Sequence, residues 1–516
     1  MRRLVCFFTL LCMLMLVPLT LTGCGGSELV TFTWQVDSMP KSLDPQLAES
    51  VSEQTAAEHL FRGLMMLDDS GQPVVDCAEN YTISADKCTY TFTLKDDLYF
   101  YSYDDEQDPI PLTAQDFVFG ITRVFLPDTF SPYAQQLSSI AQSAEVLNGG
   151  DPGLLGVSAP DDKTVVIRLS APDETFLSKL CCPGAMPCNE EFFRSTKGSY
   201  GLSEEQVLTN GDFYLYNWTT QGLFLRRKNA PAGAANNLRL VLQDAINPAV
   251  SLQELADDTV SGIEYRGEAP EGYAAYTFQD TVWAIIFNCK QKDFANLSIR
   301  QAIASVLSES LGQQQPLSTL HSANGLLVPA LPLPNGEHHD ADVSTSFGDS
   351  LSLYQQGLAE LQKSKLSDIT VLLPDDPSIL QAFETSNQQL QKELSAFFSL
   401  KAMPESELND LVSKGEFSIA LVPLSPKTSD CSEFLQQLAV LAGYPDTASL
   451  TALQDVSLSA SQRSQLVLQA EQELLQQAVL VPTWFEERCF LTKEGWSGII
   501  YSPFGPRLNL RNAVLC

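Results

Sequence analysis

The most specific chemistry written in this chain belongs to one thiol. Leu21-Thr22-Gly23-Cys24 closes an apolar run that begins at Leu4, and Arg2 and Arg3 precede that run. The arginines hold the N-terminus on the cytoplasmic side, the apolar run engages export machinery, and the small residues before Cys24 give a signal peptidase an uncluttered cleavage site. The expectation is a leader over residues 1–23, cleavage, and acylation of the Cys24 sulfur, which places the mature chain on the outer face of a bacterial cell membrane. Pro18 interrupts the run and argues against an uncleaved membrane anchor.

The remaining thiols are Cys77, Cys88, Cys181, Cys182, Cys188, Cys289, Cys431, Cys489 and Cys516, an odd number that cannot all pair within one chain. Cys77 and Cys88 flank a strand-and-turn pattern, Asn80 to Asp86, so a disulfide closing that hairpin is expected. Cys-Cys-Pro-Gly-Ala-Met-Pro-Cys at 181–188 has no nearby histidine and no common zinc spacing, and reads as buried or bridged thiols. His338-His339, beside Glu337 and Asp340, reads as a solvated loop with at most weak metal affinity. Asp104-Asp105-Glu106-Gln107-Asp108 lacks the spaced ligands and glycine of a calcium loop and reads as an exposed turn. There is no Gly-x-Ser-x-Gly elbow, no His-Glu-x-x-His and no Gly-x-x-x-x-Gly-Lys, and the only histidines are His59, His321, His338 and His339. No enzyme activity, cofactor or metal is expected.

Sixty-three acidic residues against 31 basic ones give a formal net charge of −32, or −34 once Arg2 and Arg3 leave with the leader. The acids are dispersed, as solubility requires, and a surface of that sign disfavours nucleic acid and anionic headgroups as direct partners. After residue 24 no apolar segment is long enough to span a bilayer, so lipid is the expected anchor. A chain of 516 residues exceeds what one core supports, and two or more lobes are expected.

The elements that must position any site alternate without a repeat. Strand alternation marks Leu29 to Val36, Thr89 to Lys95 and Lys163 to Leu169, and Asp68-Asp69-Ser70-Gly71 marks a hairpin turn. Helical spacing marks Gln54 to Leu64, Asp116 to Arg123 and Leu297 to Leu307, with longer amphipathic helices over Ser378 to Leu400 and Ser459 to Val479. Thr281 to Asn288 reads as a buried strand, and Pro329 to Phe347 as a long loop. The class is mixed α/β.

An ordered series of short motifs runs through this framework. It begins with Ser42-Leu43-Asp44-Pro45, Leu60-Phe61-Arg62-Gly63-Leu64, Asp68 to Pro73 and Tyr90-Thr91-Phe92-Thr93-Leu94. Leu112 to Val118 with Arg123, Ser131-Pro132-Tyr133-Ala134, Gly156-Val157 and Asp161 to Thr164 follow. Thr209-Asn210-Gly211 with Trp218, Phe287-Asn288, Phe294 and Ile299-Arg300-Gln301-Ala302 complete it. The series resembles the extracytoplasmic solute-binding proteins of ABC importers, in the peptide and oligopeptide-binding group of bacterial family 5.

The resemblance implies an α/β fold of the periplasmic-binding-protein-like class II, with two lobes closing about a hinge and a third extending one of them. Lobe I would comprise 24–65, about 200–278 and about 483–516; lobe II about 66–199; lobe III about 279–482. It implies a monomer that captures a peptide or peptide-like ligand in an inter-lobe cleft and delivers it to ABC transporter permease subunits. Glu49 and Val51 match the family loop bordering the cleft, Gly211 the glycine where chain and ligand pass closely, and Trp283 an aromatic lining position. Gly211 as a plain turn and Trp283 as packing between lobes stay open alternatives, and Arg300 reads as an ion-pair or capping residue. A sensory or adhesive lipoprotein that keeps the fold without transport is the rival reading.

The chief departure lies between Phe417 and Leu435. Peptide binders of this group carry an aspartate there that pairs with the ligand's α-ammonium. Counting without a gap places Lys427 at that position, with Asp430 as the alternative if the register slips. An ammonium facing Lys427 would be repelled, which favours an anionic or N-terminally blocked ligand. The family's Trp-Ser-x-Gly turn is replaced by Tyr103 to Pro109, and its Asp-Arg after a helix by Ser308-Glu309-Ser310.

Overall fold

Phe32, Trp34 and Val36 share one face of β1 (Thr31–Val36), and the period of two buries that face in an apolar core. The opposite face is covered as well, Gln35 by a hydrogen bond to Glu254 of the Pro248–Ala256 helix. The computed structural model describes residues 30–516 except 37, 69–70, 104–107, 229–232, 243–247, 340–342, 344, 427, 445–446, 454 and 456–457. The leader, Cys24, Lys427, Asp340 and most of the acidic run from Asp104 lie outside the described residues.

β1 belongs to an eleven-stranded sheet. Its other strands are β2 (Phe213–Trp218), β3 (Gly222–Arg227), β4 (Asn237–Leu242), β5 (Gly262–Tyr265), β6 (Tyr273–Phe287), β7 (Leu320–Ser322), β8 (Thr370–Pro374), β9 (Ser399–Met403), β10 (Ile419–Leu424) and β11 (Leu480–Lys493). The order is β2-β3-β4-β1-β5-β11-β6-β10-β8-β9, with β7 on β11. β1 runs parallel to β4, and β8 parallel to β9 and β10, so these pairs need crossover connections, and helices supply them in the second half.

β6 and β11, of 15 and 14 residues, tie the sheet together as an antiparallel pair. Phe278 and Phe490 enter the core that holds β1 to β4. Val282, Ile286, Leu480 and Phe485 enter another, built on β8, β10 and the helices Cys431–Leu441 and Ala460–Gln476. The ladder gains one residue, Asp280, between the pairs Gln279↔Glu487 and Thr281↔Glu486, a β-bulge where the strands pass from one core to the other. A separate four-stranded sheet, with Thr89–Leu94 and Thr164–Arg168 at its centre, packs with the Ala114–Val124 helix around a third core drawn from residues 64–208.

Local signals set the element ends. Ser50 and Glu53 form a reciprocal capping box, so the first helix is Val51–Leu60, earlier than the expected start at Gln54, and it ends at the extended Phe61. Ser395, with φ of 54°, stops the Pro377–Leu394 helix, and the residues expected to continue it enter β9 instead. Arg300 does cap: its guanidinium donates to the Gln477 carbonyl, ending the Ala460–Gln476 helix, and to Phe294.

The expected Cys77–Cys88 disulfide is corrected, because both are free thiols. Ala78 pairs Leu94 and Ile83 pairs Tyr90, so Cys77 and Cys88 stand at opposite ends of a six-residue ladder. At ~3.3 Å per residue the ends are roughly 20 Å apart, whereas a bridge needs Cα atoms within about 7 Å. In the 181–188 cluster, burial pushes the Cys182 and Cys188 thiols up to about 12, which leaves them protonated and unreactive.

Two polar joints hold distant segments. Asp44 accepts from both terminal nitrogens of Arg123, and the pair is 2% and 3% exposed. The C-terminal segment docks on the first helix: Asn509 donates to Glu58 at 2.6 Å, and Leu510 N–H donates to Nε2 of His59, whose Nδ1 faces the Thr55 carbonyl at 2.7 Å.

Removing one partner of a buried pair strands the other charge, so Arg123→Ala is expected to cost about 3–5 kcal/mol in urea unfolding. Adding Asp44→Asn should return part of that loss; strictly additive losses would deny the pairing. Burial raises the Glu58 carboxyl to about 7 against the opposing pull of Arg511, and burial lowers His59 to about 4 against its Thr55 bond. The Glu58 contribution is complete below the unfolded carboxylate value and lost as pH rises toward 7, whereas the His59 contribution is complete above 6.5 and lost as pH falls toward 4. Glu58→Gln keeps the Asn509 bond and leaves only the His59 slope. Urea midpoints of that variant should therefore rise between about pH 5 and pH 7 more steeply than those of the parent.

Candidate functional site

The bulge carries Asp280 into the seam between two cores, where it is 1% exposed beside the fully buried Thr281. An ionised carboxylate is tolerated there only if matched by opposite charge and hydrogen bonds. Arg488 of β11 supplies charge, its Nε 3.5 Å from Asp280 and 3.7 Å from Glu486, while its terminal nitrogen donates to Glu264 of β5 at 3.2 Å; the hydrogen bonds that Asp280 accepts come from Thr281 and Arg507. Arg507 reaches Asp280 at 3.4 Å and Glu264 at 3.5 Å, and Arg266 lies 3.7 Å from Glu486. Three carboxylates thus face three guanidiniums.

Hydroxyls and an indole finish the set. Thr281 spends its one proton on Asp280 at 2.9 Å and accepts from Arg488 at 2.6 Å, so Ser425, 2.7 Å away just beyond β10, is the donor to Thr281. Trp283 Nε1–H donates to Glu486 at 3.0 Å. Burial pushes the Glu264 carboxyl up, but Arg507 and Arg488 outweigh it and hold the group below its ordinary range. Burial works against the Arg488 charge, and Asp280, Glu486 and Glu264 more than restore it. A bulge both kinks a strand pair and increases its twist. The arrangement is a neutral polar seam at the first of two register shifts in the longest strand pair, where it passes between cores.

Glu49 and Val51 lie at the start of the first helix. Glu49 is exposed with its backbone N–H on Glu53, and Val51 is 36% exposed. That helix meets the seam through Thr55, which accepts from Arg507 N–H at 3.3 Å. Trp283 is also part of the seam, but it is 6% exposed and packs in an apolar core with Ile285 and Leu320. Gly211 is elsewhere: a Cβ there would sit 2.3 Å from the His59 carbonyl oxygen and 2.5 Å from the Leu60 carbonyl carbon. The close approach that demands glycine is to the chain's own helix. Lys427 lies outside the described residues. Of its neighbours, Ser425 joins the seam and Thr428 donates to Glu433. Asp430 is committed to capping the Cys431–Leu441 helix, accepting from Ser432 and Glu433 N–H.

Sequence reasoning missed Asp280, Glu264, Glu486, Arg488 and Arg507. A signal existed for three of them, since Asp280 and the Glu486-Glu487-Arg488 triplet interrupt runs that are otherwise apolar. A hollow of 190 Å³ lies between the paired Tyr99 and Pro111 and the Asp162-Lys163 turn of the four-stranded sheet, and is smaller than the roughly 300–1,000 Å³ of ligand pockets.

Residues 72–445 match the family model of the bacterial extracellular solute-binding proteins, family 5 Middle. The chain is 23% identical to the dipeptide-binding protein DppE of Bacillus subtilis (strain 168), over 91% of this chain and 89% of that protein. It is 27% identical to the probable deoxycholate-binding periplasmic protein YgiS of Escherichia coli (strain K12), over 90% and 89%. Among solved structures, the substrate-binding domain of an oligopeptide ABC transporter from Bacillus anthracis str. Ames superposes with a TM-score of 0.74 at 21% identity, covering 94% of this chain and 98% of that one. The fold is the α/β periplasmic-binding-protein-like class II, two lobes closing about a hinge with a third as extension. With more than half its length inside the family model, the chain belongs to family 5 of the bacterial extracellular solute-binding proteins.

Proposed function

We propose that this is a lipid-anchored extracytoplasmic binding protein that encloses a peptide-like ligand between two lobes and hands it to the permease of an ABC importer. The observation that carries the reading is the bulged β6–β11 pair, a hinge that joins two separately packed cores. Leu21-Thr22-Gly23-Cys24 supports the anchor. The core clusters support lobe I as 24–65 with about 200–278 and 483–516, lobe II as about 66–199 and lobe III as about 279–482.

The ligand is peptide-like but lacks a free ammonium at the position where Lys427 stands. Two points support this. Asp430, the acid that a shifted register would offer, is occupied as a helix cap, and each described carboxylate of the seam already faces a guanidinium. Relatives of similar coverage are named for a dipeptide and for deoxycholate, the second a carboxylate without an amine.

Residues 24–516 with Cys24→Ser should be stabilised in thermal unfolding by N-blocked or anionic peptides. A ligand at a hundred times its Kd adds about 2.7 kcal/mol, and Lys427→Ala should abolish the gain. Stabilisation by free peptides that survives Lys427→Ala would overturn the ligand assignment, and no stabilisation by any peptide would favour a lipoprotein without transport. With an active ligand, the scattering radius of gyration of the parent should fall. In Arg488→Ala, which leaves Asp280 and Glu486 short of their shared cation, that contraction should be lost while binding weakens by tenfold or more, about 1.4 kcal/mol.

A further inference from the structure

We infer that the outer face of β2, β3 and β4 seats on anionic lipid headgroups and so orients the protein on its membrane, an inference that rests on the proposed anchoring at Cys24. Tyr214 of β2, Phe224 and Arg226 of β3 and Arg239 of β4 alternate with buried Leu215, Leu225 and Leu240 and project from one side of the sheet, and Tyr216, the extra residue at a β-bulge in β2, is placed on that side by the Arg226 guanidinium over its ring. Arg226 stacks 3.9 Å over the Tyr216 ring, Arg239 lies 4.9 Å over Phe224, and Lys228 lies over Tyr101 and Tyr214. Tyr216 is 50% exposed on the edge strand, and Arg239 is exposed. Cations backed by aromatic rings whose rims reach water are the composition that sits at headgroup depth.

The overall charge of this molecule argues against such a seat, and local geometry reverses that argument. Screening confines a surface charge to about 8–10 Å, so the sign of the contacting patch decides. Among the described residues, no carboxylate forms an ion pair with Arg226 or Arg239. Nearby Asp212 is bound to Arg511 at 2.8 Å, and the negative charge left beside this face is that of Glu204, which accepts the Trp218 N–H, and of Glu205, both near Tyr103 at the β2 edge.

Position supplies the occupant. One ladder row runs Thr31, Asn237, Arg226, Tyr214 across β1, β4, β3 and β2, and adjacent strands lie ~4.8 Å apart. Thr31 lies seven residue steps beyond Cys24, a reach of at most about 25 Å, so the acylated cysteine holds this face within touching distance of the bilayer. A lipid anchor makes the second contact intramolecular, and weak basic contacts then suffice, each contributing about fivefold.

The test supplies the tether artificially, so that it does not depend on native acylation. Residues 25–516 with an N-terminal hexahistidine tag are held by nickel-chelating lipid on vesicles of phosphatidylglycerol or of phosphatidylcholine, and amide exchange is followed over 213–228 and 237–242. Exchange of these strands should slow on phosphatidylglycerol alone. The protection should vanish at about 0.5 M salt and fall roughly 30-fold in Arg226→Gln with Arg239→Gln. Equal exchange on both lipids, as a protein partner at this face would give, overturns the inference, and so does protection indifferent to the two substitutions. If the double variant is unfolded in solution, Arg239→Glu at its exposed site decides by the same readout. The mass of the N-terminal peptide of the natively expressed chain reads acylation separately; an unmodified Cys24 would sink the anchoring proposal and leave the vesicle result standing.

Discussion

Asp280 sits in the seam where β6 leaves one core for the next, and its charge is tolerable there only because Arg488 and Arg507 face it. That requirement gathers four separate stretches of chain, at 264–266, 280–281, 486–488 and 507, around one bulge. The same requirement suits a hinge. Close-packed apolar contacts lose much of their energy when side chains shift by an ångström, whereas charge–charge attraction falls only slowly with distance. Ion pairs of 3.2–3.7 Å around the bulge can therefore lengthen and shorten as the strands bend, without a change in what each group is paired to.

Other polar joints decide what travels with what. The Asp44–Arg123 pair is bidentate, buried at both ends, and fastens the Leu43-Asp44-Pro45 turn to the Ala114–Val124 helix. Tyr133 adds a hydroxyl bond to the Ala48 carbonyl, and Ser131 one to Gln46. Between the same four-stranded region and the other side of the molecule, Glu174 accepts the Ala460 N–H at 3.2 Å, but its side chain is half exposed and screened by water. The four-stranded region is thus fastened to the Leu43-Asp44-Pro45 segment by buried bonds and to the Ala460–Gln476 helix only by an exposed one.

Much of this architecture was legible because it is periodic. Phe32, Trp34 and Val36 announce a strand with one apolar face, whereas the apolar spacing places the helix start that Ser50 and Glu53 cap three residues late, at Gln54. What was not legible depends on registers and on partners far apart in sequence. Asp44 and Arg123 stand in recognisable motifs, yet 79 residues separate them and neither motif names the other. Cys77 and Cys88 looked like the two sides of a hairpin closure, and the strand register places them at its opposite ends. Gly211 reads as a close approach of chain to ligand or a plain turn, and the close approach found at it is to the helix backbone at His59 and Leu60, a partner about 150 positions away that no local pattern names. Asp280 was hidden for the plainest reason, since a bulge is a count of residues between two strands nearly 200 residues apart.

Neutrality of the seam also bears on how one fold takes different ligands. Because the seam's charges cancel among themselves, a ligand's charge would have to be met by residues outside the seam. Specificity and bending are then separable, and the ligand can change without rebuilding the hinge. Relatives named for a dipeptide and for deoxycholate align with about nine-tenths of this chain at 23% and 27% identity, as expected of a frame whose moving parts are electrically self-contained.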